Sequence, residues 1–395
     1  MDLPRQLVDN PTMLELFILG LSLVSGAPET SGDLKPLLDA FRAVGREGAG
    51  NIAAAAAFKK VSVLKPEILP EILGGLDGSH PEAANWFRGA VDAIAERALA
   101  RGEPLPAKAI EAFLLDRRRP VAARELAWEW LCRVDSSAPG RLLAGLIDDP
   151  SGELRREAVA VDLAAAEKLL ASDTGKDAGR SDLRRLFGFS RDPAQVEAIA
   201  KRLTELGETA DVARHMGFVK EWKLLGPFDG LATEDWQRSL PAGLPAHHAG
   251  FHFAYAPETS LDLDVEHAGK AGPVRWKPFT SVHLQGAVDL NVALGKHKGA
   301  VAFALAEIDS PGAVPIELRS GTPNAVKIWL NGERIFQREE YHHGMSLDQH
   351  IAAGTLKKGR NRILLKVCQN DQTEDWAQDW TFQLRVCDAT GKGAP

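Results

Sequence analysis

The chain has 395 residues, with 47 Lys and Arg against 54 Asp and Glu for a net charge of −7, and it is 45% hydrophobic and 26% charged. At about 150 residues per domain this length predicts two or three domains, each able to bury a core, and the ordinary composition excludes disordered, collagenous and disulfide-scaffold classes. The acidic balance argues against a nucleic-acid partner, which needs clustered cations to neutralise phosphates, and no run of about 18 apolar residues predicts a membrane span.

Residues 1–29 form an N-terminal segment. Its apolar run Leu14–Ala27 ends in small residues, which suits the hydrophobic core and cleavage region of a secretory signal. The preceding Met1–Met13 carries one Arg and two Asp, a poor basic leader, and a buried first helix accounts for the same run. Two locations therefore stay open: export to the periplasm or cell surface, or residence in the cytoplasm.

Residues 30–216 are rich in Ala, Leu, Arg and Glu and predict an α-helical domain. Helices are expected near 34–44 and 50–60, then along the stripe Phe87, Val91, Ile94 and Ala98, then near 105–117, 120–134 and 139–147. Asp149-Pro150 opens another. Asp192-Pro193 opens the clearest, with Val196, Ile199, Leu203 and Leu206 on one face and Gly207 at its end, an N-cap, a proline at the first turn and a terminating glycine in order. The segments Arg117–Leu131 and Asp148–Leu163 each have a proline near the start, an Arg-Glu pair and small residues where neighbouring helices meet, and they resemble HEAT-type repeats. That resemblance implies a solenoid in which stacked helices bury faces they cannot bury alone, with a concave protein-binding surface. A non-repeating bundle is the alternative. The run Arg117-Arg118-Arg119 reads as a solvated helix end.

Residues 217–395 turn to Val, Thr, Gly, Trp and Phe and predict an antiparallel β-sandwich. Ile316–Arg319 and Val326–Leu330 alternate apolar and polar residues, Asn331-Gly332 favours a tight hairpin into Arg334-Ile335-Phe336, and Ile363, Leu365, Val367, Phe382, Leu384 and Val386 alternate further on. Cys132, Cys368 and Cys387 have no metal-ligand spacing. If Cys368 and Cys387 lie on neighbouring antiparallel strands joined through 369–380, about 20 Å separates them, beyond disulfide reach, so free thiols are expected.

In order along this half stand Trp222–Asp229 (WKLLGPFD), Ala256-Pro257-Glu258, Gly269-Lys270, Val288-Asp289-Leu290, Val326–Gly332 (VKIWLNG), Tyr341–Gly344, Leu356–Gln369 and Gln383–Asp388. Together they resemble a β-sandwich domain common in exported or surface proteins of polysaccharide-degrading bacteria, similar to galactose-binding-like jelly rolls and often following helical repeats. The resemblance implies a jelly-roll fold and a carbohydrate context, and no reaction. Where many relatives have a Gly-Ser-Asp-Asp turn, this chain reads Ser320-Gly321-Thr322-Pro323-Asn324, which removes the acidic residues that a cation would need there.

Six of the nine tryptophans lie in this half, at 222, 236, 276, 329, 376 and 380. Most are expected in the core, and Trp329 could face either side of its strand. Trp376 and Tyr341 are the candidates for stacking on sugar rings, because each sits among polar residues: Asn370, Asp371 and Gln372 beside the first, His343, Asp348 and Gln349 beside the second. Glu339, Glu340, His342, His343 and His350, and likewise His247, His248 and His252, supply ligand types for zinc but no recognised spacing, so solvated histidines are expected. No cofactor is predicted; on a strand Asp262, Asp264 and Glu266 would share one face and invite calcium, or would guard a sheet edge. No nucleophile elbow, Walker loop, dinucleotide fingerprint or zincin motif occurs. The sequence therefore predicts a non-catalytic binding or scaffold protein, the sandwich taking carbohydrate and the helices a protein. The alternatives are a pure protein scaffold, with Trp376 and Tyr341 buried at the domain junction, and a hydrolase in which Glu340, His342, His343 and Asp348 converge.

Overall fold

The computed structural model describes residues 34–231, 244 and 248–394. The Leu14–Ala27 run, Trp236 and His247 lie outside them. Contacts divide the chain into one unit ending at Val134 and another from Asp135 onward.

The first unit is helical: α1 Leu34–Arg42, α2 Asn51–Val61, α3 Leu69–Gly74, α4 Pro81–Ala100, α5 Ala107–Leu115 and α6 Val121–Val134. The predicted α4 stripe, Phe87, Val91, Ile94 and Ala98, is buried. Phe41 meets Phe87 edge-on at 5.3 Å. Arg124, fully buried on α6, donates from Nε to the Leu114 carbonyl at 2.6 Å and so answers an orphan acceptor at the end of α5. Two members of the arginine run, Arg118 and Arg119, pair with Asp116.

The second unit begins with α7 Ala138–Leu142, α8 Gly152–Leu170, α9 Lys176–Phe189, α10 Pro193–Glu205 and α11 Val212–Met216. The Asp192 side chain accepts from Gln195 N, Pro193 opens α10 and Gly207 follows with φ +79°, the start and stop expected of that helix. Composition changes near residue 217, yet α7–α11 belong to the same compact unit as the sheets. Gly217 is where they join: Val386 N donates to its carbonyl at 2.8 Å, its φ is +77°, and a Cβ there would lie 2.1 Å from Val386 O. Only glycine fits that approach.

The strands are β1 Glu221–Asp229, β2 His267–Gly269, β3 Gly272–Val274, β4 Lys277–Thr280, β5 Val288–Asp289, β6 Ala300–Ser310, β7 Val314–Gly321, β8 Ala325–Leu330, β9 Glu333–Arg338, β10 His350–Leu356, β11 Gly359–Gln369 and β12 Thr381–Cys387. Among the described residues they form a six-stranded sheet in the order β4-β1-β6-β11-β8-β9, a four-stranded sheet in the order β10-β7-β12-β5, and the small β2-β3 pair. All recorded pairs are antiparallel. Asn331 (φ +53°) and Gly332 (φ +88°) make the β8–β9 turn, the double left-handed conformation the dipeptide predicts.

Alternate residues of the six-stranded sheet face two different cores. Ala302, Ala304, Val326, Ile328, Leu365 and Val367 meet Leu318, Phe382 and Leu384 of the four-stranded sheet. Val301, Phe303, Trp329, Leu364 and Cys368 instead meet Phe251 and Tyr255, in the stretch containing the short helices Ala249–His252 and Ala256–Thr259. This covering segment is fastened by Lys366, which is fully buried in β11 and donates from Nζ to Phe253 O at 2.7 Å, Phe251 O at 3.1 Å and Glu258 Oε1 at 2.6 Å.

Two expectations need correction. β11 and β12 belong to different sheets, so Cys368 and Cys387 are not on neighbouring strands; both thiols are nevertheless free, and burial pushes that of Cys368 up to about 12. Asp262, Asp264 and Glu266 do not share a strand face. They lie in a loop where Asp262 Oδ1 accepts from Asp264 N at 3.0 Å and Arg275 pairs with Glu266 at 3.0 Å. No helix of the described residues is long and apolar enough to cross a membrane.

Candidate functional site

The loops after β9 and after β11 meet over the turn between β7 and β8. Beneath them lies a buried polar network built from Thr322, Asn324 and Gln369. Asn324 Nδ2 donates to Gln369 Oε1 at 3.1 Å and to Asp379 O at 3.0 Å, while its Oδ1 accepts from Thr381 N at 3.1 Å. Thr322 Oγ1 donates to Thr381 O at 2.7 Å, and Gln369 Nε2 donates to Asp379 O at 3.1 Å. Buried polar groups satisfied in this way fix the backbone around them. The turn between β7 and β8 thus serves to pin the 370–380 loop.

On that loop the turn Asp375–Ala377 buries Ala377 completely and leaves Trp376 61% exposed. The His342 ring stands edge-on to the indole at 5.1 Å. Asn370 Nδ2 donates to Gln372 Oε1 at 2.7 Å and its Oδ1 accepts from Gln372 N at 3.2 Å, which fixes the amide and assigns the proton on His342 Nε2, 2.8 Å from Oδ1. His342 Nδ1 is then a buried acceptor with no partner among the described residues. Asp371, Glu374 and Asp375, neighbours of Trp376 along the chain, are exposed. The structure therefore brings Asn370, Gln372 and Trp376 together with His342, and leaves Asp371 at their solvent side.

The other candidates serve elsewhere. Asp348 accepts from Arg385 Nε at 2.6 Å and Arg319 Nη1 at 2.9 Å; burial alone would raise its carboxyl, but the two guanidinium groups outweigh it and hold it below the usual carboxylate range. Gln349 Oε1 accepts from Thr322 N at 3.0 Å. Tyr341 is half-buried beside the outer core and meets His248 edge-on at 5.7 Å, and burial raises its hydroxyl. His343 is exposed, and Glu340 pairs with Arg338. Glu340, His342 and Asp348 thus each have a separate partner. Glu339 is shared by His248 Nδ1 at 2.6 Å and His252 Nε2 at 2.8 Å. Among the described residues no group of three or more His, Cys, Asp or Glu is arranged to hold a metal ion.

A second concavity was not visible in the sequence. A cavity of about 510 Å³ opens on the outer side of β8 and β11, lined by Trp329 and Leu364 of the sheet, Pro257, Thr259 and Leu261 of the covering segment, and Arg360 and Arg362. The one signal was the Ile328-Trp329-Leu330 run, and its alternation does not say which residue faces out.

No family model matches the chain, and no curated protein does. Among solved structures it is similar to a beta-glucosidase from Kluyveromyces marxianus in complex with glucose, at 9% identity over 42% of this chain and 16% of that one, with a TM-score of 0.24. It is similar to a family 35 carbohydrate binding module from Clostridium thermocellum at 13% identity over 26% of this chain and 88% of the module, with a TM-score of 0.18. An anti-sigma factor domain-containing protein matches at 13% identity over 28% of this chain and 39% of its own, with a TM-score of 0.20.

Proposed function

We propose that the chain is a non-catalytic carbohydrate-binding protein whose ligand lies against Trp376. The observation that carries this reading is the exposed indole beside an amide and imidazole group already locked by hydrogen bonds. An aromatic face matches the apolar C–H face of a pyranose, and Gln372 and Asp371 stand ready for its hydroxyls. Preorganised side chains lose little entropy when they bind. In contrast, Trp222 and Trp380 are buried in the inner core and hold the sheets together. On this reading the layered sheets are a galactose-binding-like jelly roll. Consecutive helices that pack in pairs, α1 with α2 and α5 with α6, form a HEAT-like stack that offers a protein a surface.

Calorimetric titration of the full chain with a panel of neutral soluble polysaccharides, with and without calcium, tests the proposal. Saturable binding weakened about 30-fold by Trp376→Ala, about 2 kcal/mol for a buried aromatic anchor, is the expected result. Absence of binding across the panel would overturn it, and glycoside or ester turnover abolished by His343→Ala would replace it with the hydrolase reading.

A further inference from the structure

The outer cavity shares no lining residue with the Trp376 face, and its volume of about 510 Å³ falls within the range of small-molecule sites. Its polar groups divide unequally between those already engaged and those left open. Glu258 accepts from Lys366 Nζ at 2.6 Å and Tyr255 N at 3.1 Å. The Asn331 amide donates to Asn361 Oδ1 at 2.9 Å and accepts from Arg362 N at 3.0 Å. Both bonds to Glu258 fall on Oε1 and the Lys366 ammonium answers its charge, while Asn331 is held at both ends of its amide.

The charge left without a close partner is cationic, on the guanidinium donors. Trp329 is only 7% exposed, lines the cavity, and its indole N–H has no acceptor among the described residues. The Arg360 guanidinium is 64% exposed and comes no nearer than 4.0 Å to Asp309, itself 75% exposed, a pair that water and salt screen almost entirely. Arg362 gives Nε to Glu307 Oε1 at 3.1 Å, a carboxylate that Lys223 already holds at 3.0 Å. A guanidinium has five N–H donors in a planar fork, so Arg362 keeps others free. Beside these donors Leu261, Leu364 and the indole supply an apolar wall.

A ligand that satisfies this inventory must bring acceptors and negative charge on one side and a C–H face on the other. A neutral sugar satisfies the wall and leaves the fork unused. A hexuronic acid satisfies both, since its carboxylate matches the guanidinium fork and its ring face matches the indole and the leucines. We propose that the cavity is a second saccharide site, selective for a uronic acid residue.

Calorimetry on the full chain at low salt tests it with trigalacturonate, with galactotriose as the neutral counterpart and benzoate as an aromatic acid. The expected result is saturable trigalacturonate binding at least about 10-fold tighter than galactotriose. It should weaken with added salt, fall at least about 5-fold in Arg360→Gln and recover in part in Arg360→Lys. Arg360 is a surface residue, so its loss leaves the fold intact. Equal affinity for the charged and neutral trimers, an Arg360→Gln variant that binds as tightly, or benzoate competing as well as the uronate would each overturn the assignment. The neutral polysaccharide panel reports on the Trp376 face, so the two proposals fail separately.

Discussion

The two faces of the six-stranded sheet use the same strands for opposite purposes. On the inner face Ala302, Ala304, Leu365 and Val367 meet the other sheet with apolar groups. On the outer face of β8 and β11 the register sets Lys327 beside Lys366, both buried, under the aromatic rings of Phe251 and Tyr255 at 4.5 and 4.7 Å. Packing explains the inner residues by shape alone. The outer ones carry charge into a low-dielectric layer, where each cation requires a partner. Lys366 has three acceptors, whereas Lys327 rests on a ring face; burial, then the neighbouring Lys366 ammonium, lowers its amine pKa. A face that tolerates such groups can also hold a cavity lined with unmatched donors, and an all-apolar face cannot.

Substitutions that treat the two faces alike should therefore give different results. Lys366→Ala should cost about 3–5 kcal/mol by urea unfolding, because it strands the Glu258 carboxylate, and Lys366→Met combined with Glu258→Leu should recover most of it. Leu365→Ala, one position away on the inner face, should cost about 2–5 kcal/mol, and no second deletion should rescue it, since the loss is a cavity. If the double variant stays as unstable as Lys366→Ala, the outer face is held by shape as well, and the contrast fails.

Away from both faces, Asp348→Asn should cost about 2 kcal/mol at neutral pH by leaving Arg319 and Arg385 without their carboxylate. The folded carboxyl lies below its ordinary value, so this stabilisation is complete above the unfolded pKa of about 3.9 and disappears as pH falls through the folded one. Acid unfolding curves of wild type and variant should accordingly converge at low pH. For Lys327→Met the change should stay within about 1 kcal/mol and favour the variant. A lowered lysine pKa means that the folded protein bears the cost of the ammonium at neutral pH and is relieved as pH rises toward about 10.4, so the gap to the variant should narrow in alkali. Smallest of all, Trp376→Ala should shift stability by no more than about 0.5 kcal/mol while weakening the proposed glycan binding about 30-fold.

Legibility in the sequence followed the same division. Strands whose sequence alternates apolar with polar residues were readable, β7, β8, β11 and β12 among them, the last two although nearly every residue from Ile363 and from Phe382 onward is buried, and β9 was readable from the Asn331-Gly332 turn before it. β6 was not, although it lies at the centre, because Ala300 to Ala306 is apolar at every position when both faces are covered, and alternation disappears. Trp376 could be picked out because its neighbours are polar over a short span of chain. The partners of Asp348 were not readable, because Arg319 and Arg385, 29 and 37 residues away, come to it only through the pairing of β7 with β12. The outer cavity was hidden for a related reason: its walls come from the covering segment and from β8 and β11, and no local pattern joins them.

The fastening of the covering segment also sets an order of events. Lys366 grips groups that lie 115, 113 and 108 residues earlier in the chain. It presents its amine to them only when β11 already lies between β6 and β8, and closing so long a loop before that gains nothing to offset the lost entropy. On this topology the sheet is expected to assemble before its cladding settles, an order that site-by-site folding kinetics would check. On a ribosome adding about 5–20 residues per second, the residues around Glu258 emerge on the order of ten seconds before the lysine that will seat them.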